Sequence, residues 1–238
     1  MRDRRFFSSI LAFLLLSVLP VLLLSGCGDK EPAQRKAFAA FLQERIIQPS
    51  GVFLPSLDAK EMKAFGEYAE HYELLQYFQK KMSEDVARNA RQLLALAELE
   101  TLDAIARAKS SLRKAANEAS KLQQTVLVLR KKMDASRAKL KQPEDLKAVY
   151  DKAYGKIVIL PSQAASEAFG AINDMFAATL ELLRFIDTHS RDMEIAGQAI
   201  NLRNPGLFDD LNKRMQDVQE KSATLRQAYS TMMKVMLP

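Results

Sequence analysis

The chain of 238 residues contains no tryptophan, one cysteine, and only eight glycines and eight prolines. A single cysteine excludes a disulfide bond within the chain. Because glycine and proline dominate turns, their scarcity predicts few loops. The sequence also contains no glycine-rich phosphate loop, no zinc-protease motif and no nucleophile elbow. Alanine, leucine, lysine, glutamate, glutamine and methionine are abundant instead, and all of them favour helices.

The start of the chain has the three parts of a bacterial secretory signal. Met1–Arg5 carries three positive charges and one negative charge, and Phe6–Leu24 is almost wholly apolar. Leu24, Ser25, Gly26 and Cys27 then resemble a lipobox, the motif at which a lipoprotein precursor is lipidated and cut. The apolar run approaches the length of a transmembrane helix, which is the competing interpretation. The small residues Ser25 and Gly26 before the cysteine favour cleavage.

Cys27 is the predicted lipidation site. Its thiolate would take up a diacylglycerol, the amino group freed by cleavage would take a third acyl chain, and stable anchoring needs about two lipid signals. We predict residues 1–26 to be a signal peptide, residues 27–31 a lipidated cysteine with a short tether, and residues 32–238 a single all-helical domain. The expected location is the periplasmic side of the cell envelope. Gly28, which stands where an aspartate would retain many lipoproteins, favours the outer membrane over the inner one.

Apolar residues at steps of three and four predict an all-α fold, an elongated antiparallel bundle of four long helices with shorter ones attached. The clearest pattern runs from Ile105 to Leu140 as a heptad seam of about five repeats, which favours coiled-coil-like packing. Asp58 and Glu61 have the spacing of a helix-capping box. We expect the helix that begins there to continue through Gly66.

Four further boundaries follow from the residue pattern. Pro143 is predicted to be the first residue of a short helix, and the apolar run 157–161 a packed connector. Ser162 is expected to cap a long helix whose inner face extends through His189 to Ile200. A turn at residues 204–206 precedes the last helix. The inner face of that helix comprises Leu211, Met215, Val218, Ser222, Leu225, Tyr229, Met232 and Met236.

Short motifs after the predicted cleavage site carry a family resemblance. They are Gly26-Cys27, Asp29-Lys30-Glu31, Gln34-Arg35-Lys36-Ala37-Phe38 and Phe41-Leu42-Gln43, followed later by Leu54-Pro55 and Asp145-Leu146-Lys147. With these motifs the sequence resembles the YiaF-type lipoproteins of Gram-negative bacteria, a family of unknown function. The resemblance implies a lipidated, mostly helical envelope protein, and it supplies no catalytic or binding residues.

Charge is distributed unevenly along the chain. Residues 107–156 contain fourteen basic and five acidic residues, whereas residues 61–103 contain nine acidic and five basic ones. The two segments could complement each other as antiparallel neighbours, or the basic one could face anionic lipid or an anionic envelope polymer. The candidate basic surface consists of Lys109, Arg113, Lys114, Lys121, Arg130, Lys131, Lys132, Arg137 and Lys139.

Neither histidine has the surroundings of a metal or catalytic site in the sequence. His71 lies near Glu67 and Glu70, but Tyr68 occupies the position where a di-iron motif needs glutamate. His189 is expected on an inner helix face, where a histidine is usually part of the core. We therefore predict no cofactor, no metal and no catalytic residue.

These patterns favour a non-enzymatic, membrane-anchored lipoprotein that binds an envelope protein or an anionic envelope polymer. An enzyme or accessory acting on a polymer such as peptidoglycan is the alternative, because two carboxylates leave no local signature. A third hypothesis is a bundle that holds an apolar molecule beside the methionine-rich last helix. Nucleic acid is excluded as a partner by export, and the oligomeric state is left open.

Overall fold

The computed structural model describes residues 30–90, 93 and 101–236. The predicted signal peptide, the lipobox and Cys27 lie outside this part. The helices in chain order are α1 (Glu31–Phe41), α2 (Ala59–Phe65), α3 (Tyr68–Lys81), α4 (Leu102–Arg107), α5 (Lys109–Arg137), α6 (Glu144–Tyr154), α7 (Leu160–Thr188) and α8 (Phe208–Met236). Short π-helical turns extend α1 over Leu42–Ile47, extend α3 over Met82–Ala87, and join α6 to α7 over Gly155–Ile159.

The capping box at the start of α2 is confirmed. The Asp58 carboxylate accepts a hydrogen bond from the Glu61 backbone N–H at 2.7 Å, and the Glu61 carboxylate accepts one from the Asp58 N–H at 2.9 Å. The expected continuation through Gly66 is wrong, since Gly66 has a φ of 55° and ends α2. A left-handed residue ends the helix, so α2 and α3 are separate.

Helix α5 packs between α3 and α7. The predicted seam is buried along its middle, at Leu112, Ala115, Ala119, Leu122, Val126, Leu129 and Met133. Its first part differs from the prediction, because the helix is interrupted at Ala108. Thr101 caps the preceding helix α4 by accepting a hydrogen bond from the Ala104 N–H at 3.1 Å. The pairs Lys109–Asp187 and Gln123–Ser166 show that α5 and α7 run antiparallel.

The predicted connector at residues 157–161 is in fact helical. The chain passes from α6 through one π-helical turn into α7 without a break. Ser162 therefore does not cap a helix, and its hydroxyl donates to the Val158 carbonyl at 2.6 Å. Pro143 is the residue before α6 rather than its first residue, with an extended ψ of 150°. Ile157 and Val158 are buried in the core, which accounts for the apolar residues of this segment.

The all-α prediction needs one correction, since a β-hairpin follows α7. The helix ends at Thr188, and β1 (Met193–Ala196) pairs antiparallel with β2 (Ala199–Leu202). Gly197, in the turn between them, has a φ of 65°. Met193 and Ile200 pack with Leu182 and Leu211 in a small second cluster. Two residues of the step pattern that predicted a longer helix, Met193 and Ile200, therefore share one side of the hairpin, whereas Ala196 is exposed.

Helix α8 packs along α7 and is the least buried of the long helices. Of its predicted inner face, Leu211 and Leu225 are buried, whereas Met215, Val218, Ser222, Tyr229 and Met232 are half-buried. The main core instead joins α1, α3, α5, α6 and α7. None of the helices in the described ranges has an apolar stretch long enough to cross a lipid bilayer.

Candidate functional site

The side of α5 turned away from the core carries a row of cations. The buried seam faces α3 and α7, so residues spaced at three and four positions on the opposite side face solvent. We call this the cationic face, and it consists of five exposed residues of α5 and of Lys139 in the turn directly after the helix; the five are Arg113, Lys114, Lys121, Lys131 and Lys132. All six belong to the nine residues that the sequence predicted as a basic surface.

The other three predicted residues are partly buried and paired. Lys109 pairs with Asp187 on α7, Arg130 pairs with Asp134 at 2.9 Å, and Arg137 pairs with Asp151 on α6 at 2.7 Å. The pairs with Asp187 and Asp151 attach α5 to α7 and α6, and the pair with Asp134 lies within α5 itself. Their cations therefore belong to the structure of the bundle and not to its outer surface.

Two members of the cationic face have partners within the protein. Lys121 pairs with Glu118 at 3.5 Å, and Lys132 donates to the Tyr77 hydroxyl at 2.7 Å while its ammonium lies 4.6 Å from the centre of that ring. The remaining four cations, Arg113, Lys114, Lys131 and Lys139, form no ion pair with any residue that the structure describes. Their charge is available to a partner outside the chain.

The described part of the acidic segment, residues 61–90, 93 and 101–103, forms no ion pair with this face. Within the described ranges, the one ion pair that joins residues 61–103 to residues 107–156 is Arg107–Asp103, at 3.5 Å. That pair is formed within one helical turn. Among the described residues, the charge asymmetry seen in the sequence is therefore kept as a surface feature.

An apolar pair lies in the middle of the cationic face. The relative exposure of Leu127 is 45% and that of Val128 is 65%, which places both among the most exposed large apolar residues described. Lys121 precedes this pair and Lys131 follows it on the same side of α5. The face thus combines positive charge with exposed hydrocarbon.

A polar cleft of about 380 Å³ lies beside the turn between α5 and α6, and it is the candidate catalytic site. Its carboxylates are Asp134, Glu144 and Asp151, and its cations are Arg137 and Lys147. Two of the three carboxylates are already bound to arginine, at Asp134 and Asp151. No group of acidic or histidine side chains suited to a metal ion occurs in the part of the chain described.

Tyr154 is buried and contacts two of the residues that line this cleft. Its hydroxyl donates to the Asp134 carboxylate at 2.8 Å, and the Arg137 guanidinium lies 4.8 Å from the centre of its ring. Burial raises the pKa of Tyr154, and the hydrogen bond to Asp134 raises it further. The phenol is therefore held protonated as a donor, which suits a structural bond better than proton transfer.

His71 is a core residue, as its surroundings show. Its Nδ1 accepts a hydrogen bond from the Gln142 amide at 3.1 Å, and its backbone carbonyl accepts one from the Tyr150 hydroxyl at 2.8 Å. Burial lowers the pKa of His71, although the carboxylates of Glu67 and Glu70 oppose this effect. The neutral ring is favoured because its acceptor nitrogen is already occupied.

His189 lies at the end of α7 and is half-buried. Its Nδ1 donates to the Phe185 carbonyl at 2.9 Å, and its ring lies 4.5 Å from the Phe185 ring. The expectation of a position on the inner face of a continuing helix is wrong, because α7 ends one residue earlier. Both histidines therefore serve the structure.

The start of α1 is bound to the α5–α6 end of the bundle, which the sequence did not reveal. The Tyr68 hydroxyl on α3 donates to the Glu31 carboxylate, and Arg35 pairs with Asp145 on α6 at 3.1 Å. These contacts join residues more than thirty positions apart, so no local pattern could have indicated them. They fix the position at which the folded domain begins, four residues after Cys27.

Fold and surface together define a helical-bundle protein that presents one cationic helix face. The chain belongs to the family described as protein of unknown function (DUF3053), which it matches over residues 14–233. It is 26% identical over 218 residues to the uncharacterized protein YiaF of Escherichia coli strain K12, and the alignment covers 91% of this chain and 92% of that protein. The homologues of E. coli O157:H7 and Shigella flexneri have the same identity and coverage.

No solved structure matches this chain. The predicted family resemblance is confirmed, and it extends over most of the chain instead of being limited to the start of the predicted mature region.

Proposed function

We propose that the protein is a lipid-anchored lipoprotein on the periplasmic side of the cell envelope, and that it acts by binding without catalysing a reaction. Residues 1–26 are the cleaved signal, Cys27 carries the lipid, and the bundle from Pro32 onward is the binding module. The observation that carries the proposal is the lipobox-type motif Leu24-Ser25-Gly26-Cys27 at the end of the apolar run. Gly28 after the cysteine favours the outer membrane.

The cationic face supports a binding role. Four of its cations lack an ion-pair partner among the described residues, and anionic head groups or polymers surround a protein in the envelope. Coiled-coil-like packing along the buried seam of α5 would hold the helix rigid, and the rigid helix carries this face. A rigid helix can present charges at a constant spacing, which a flexible segment cannot.

The anchor is tested by expressing the full chain in a Gram-negative host with a palmitate analogue that carries a clickable group. We expect the wild-type protein to incorporate the label and to fractionate with the outer membrane. Cys27→Ser removes the thiol and should abolish incorporation. Gly28→Ser is the matched control, because it introduces the same side chain next to an intact thiol and should label normally.

Mass spectrometry of the purified native protein provides the decisive measurement. A diacylglyceryl group on Cys27 at a new amino terminus is the expected product. An intact first residue together with an unmodified sulfur would contradict the proposal, whatever the fractionation shows.

An enzyme or accessory acting on an envelope polymer such as peptidoglycan is the second candidate. The cleft beside the α5–α6 turn favours it, since it brings three carboxylates together on one surface. Glu144 is the member most exposed to solvent, and its pair with Lys147 is long, at 3.9 Å. Cleavage of purified peptidoglycan by the native protein, lost in Glu144→Gln and Asp151→Asn, would establish this role in place of the first.

A further inference from the structure

We propose that the cationic face of α5 lies flat on the anionic surface of the membrane that holds the lipid anchor, with Leu127 and Val128 entering the head-group region. This inference rests on the proposed function, because it names the partner of that same surface. It adds that the partner is a lipid bilayer and that the bundle lies along it.

The charge pattern fits a flat anionic surface. Lys114, Lys121 and Val128 are seven residues apart, which is about two helical turns, so they form one line along α5. From Arg113 to Lys139 the cationic face is about 39 Å long at the rise of an α-helix. Between residues 109 and 139 the sequence has two acids, Glu118 and Asp134, and both are engaged by cations of α5 itself.

The apolar pair distinguishes a membrane from a soluble anionic polymer. Leu127 and Val128 are exposed apolar side chains in the centre of the row of cations. If the partner were a polysaccharide, these two side chains would stay in contact with water. At a bilayer surface the same side chains enter the boundary between head groups and acyl chains. Lysine side chains around them can extend their ammonium groups to the phosphates.

The anchor holds the correct end of the bundle near the membrane. Two residues, Gly28 and Asp29, separate Cys27 from Lys30, so the three steps of an extended chain can span about 11 Å. The start of α1 is attached to the α5–α6 end through Tyr68–Glu31 and Arg35–Asp145. The cationic face ends at this same place with Lys139, so the C-terminal end of α5 lies beside the anchor and the helix can extend along the surface from there.

A fluorescent label on the native lipoprotein tests the contact. Because lipidation blocks the sulfur of Cys27, Val128→Cys introduces the one thiol free to react, and a polarity-sensitive dye is attached there. The labelled full protein is reconstituted into vesicles of phosphatidylglycerol and phosphatidylcholine in equal parts, or of phosphatidylcholine alone. Ser230→Cys on α8, an exposed position on another helix, is the matched control.

We expect the emission at position 128 to shift to the blue and to rise severalfold in the vesicles that contain phosphatidylglycerol, and to lose most of this change in phosphatidylcholine or at high salt. The label at position 230 should report water in both. An aqueous signal at position 128 in the anionic vesicles would overturn the membrane contact. Shielding of that label by added peptidoglycan alone would assign the face to the polymer and overturn it as well.

Charge-reversal variants distinguish the effect of the cationic face on membrane contact from the effect of the net charge of the protein. Replacing Lys114, Lys121 and Lys131 with Glu should abolish the shift at position 128. Replacing Lys213, Arg226 and Lys234 of α8 with Glu changes the net charge equally and should leave it intact. If both triple variants lose the shift equally, the face has no special role and the proposal fails.

Mass spectrometry of the same samples distinguishes this inference from the proposed function. An unlipidated Cys27 would overturn both. A lipidated protein whose position 128 stays in water would overturn only the membrane contact.

Discussion

Individual tyrosine hydroxyls join the first half of the bundle. Tyr72 donates to the Pro55 carbonyl at 2.5 Å, Tyr150 donates to the His71 carbonyl at 2.8 Å, and Tyr68 donates to Glu31. Burial and the Glu31 carboxylate raise the pKa of Tyr68 to about 12. These phenols therefore remain donors at physiological pH. Each buried hydroxyl connects segments that are distant in the sequence, so the tyrosines stabilise tertiary contacts beyond their packing.

His71 makes the stability of the fold depend on pH. Its pKa is lowered by burial in the folded state, so the unfolded chain binds a proton more readily. The free energy of unfolding contributed by the neutral ring is complete above the ordinary histidine pKa of about 6.5 and falls as the pH drops below it. We expect wild-type protein to lose more stability between pH 7.5 and pH 5.5 than His71→Gln, measured by urea unfolding.

His189→Gln is measured beside His71→Gln as the control, because it removes the other histidine of the chain and leaves the contacts of His71 in place. Equal pH dependence of wild type and His71→Gln would show that His71 does not cause the effect.

At the scale of the elements, glycine decides where helices end and where they continue. Gly66 has a positive φ, and a Cβ atom there would collide with the Gln34 side chain of α1. Gly155 lies in the helical turn between α6 and α7 with a φ of −53°, and a Cβ atom there would meet nothing within 4 Å. The same residue type thus breaks one helix and is tolerated within another.

This difference predicts opposite effects of one substitution. Gly66→Ala should lower the free energy of unfolding by about 1–2 kcal/mol, because an L-residue is strained in the left-handed region. Gly155→Ala should raise it by about 0.5–1 kcal/mol, since alanine loses less backbone entropy in a helix. Urea unfolding of both variants beside the wild type measures the two changes. Effects of the same sign would contradict the assigned backbone conformations.

At the scale of the whole molecule, the long helices differ in how much of their surface is covered. Helix α7 has buried residues along its entire length, because α5 and α8 pack on two of its sides. Among the described side chains of α8, only Leu211 and Leu225 are buried, and a groove of about 630 Å³ separates the helix from α5 above residues 166–174 of α7. None of the described residues that line this groove is a methionine, so it is not the methionine-lined site of the third hypothesis.

Unequal burial predicts unequal resistance to local opening. Amides near the middle of α7 should exchange hydrogen only through global unfolding, whereas those of α8 should exchange at least tenfold faster, because separating α8 exposes less apolar surface. Hydrogen-exchange mass spectrometry of the full protein measures both helices in one experiment. Similar protection of α7 and α8 would indicate that α8 unfolds together with the core.

Residue patterns were sufficient for the helices whose apolar face is buried against the core. The helix that carries Leu112 to Met133 was predicted correctly, since a sustained step of three and four is compatible with one secondary structure. The same pattern failed beyond Thr188. There, the buried Met193 and the half-buried Ile200 lie on the two strands of a hairpin, and alternation over four residues resembles part of a helical repeat.

The basic surface shows the same division between local and distant information. Composition and spacing alone determined a mostly helical chain with its positive charge concentrated between residues 107 and 156, because helix propensity and charge are properties of each residue. Only the tertiary structure decided which cations are free. Lys109 and Arg137 are neutralised by Asp187 and Asp151, distant acids that folding brings close, whereas Lys114 and Lys131 receive no such partner among the described residues.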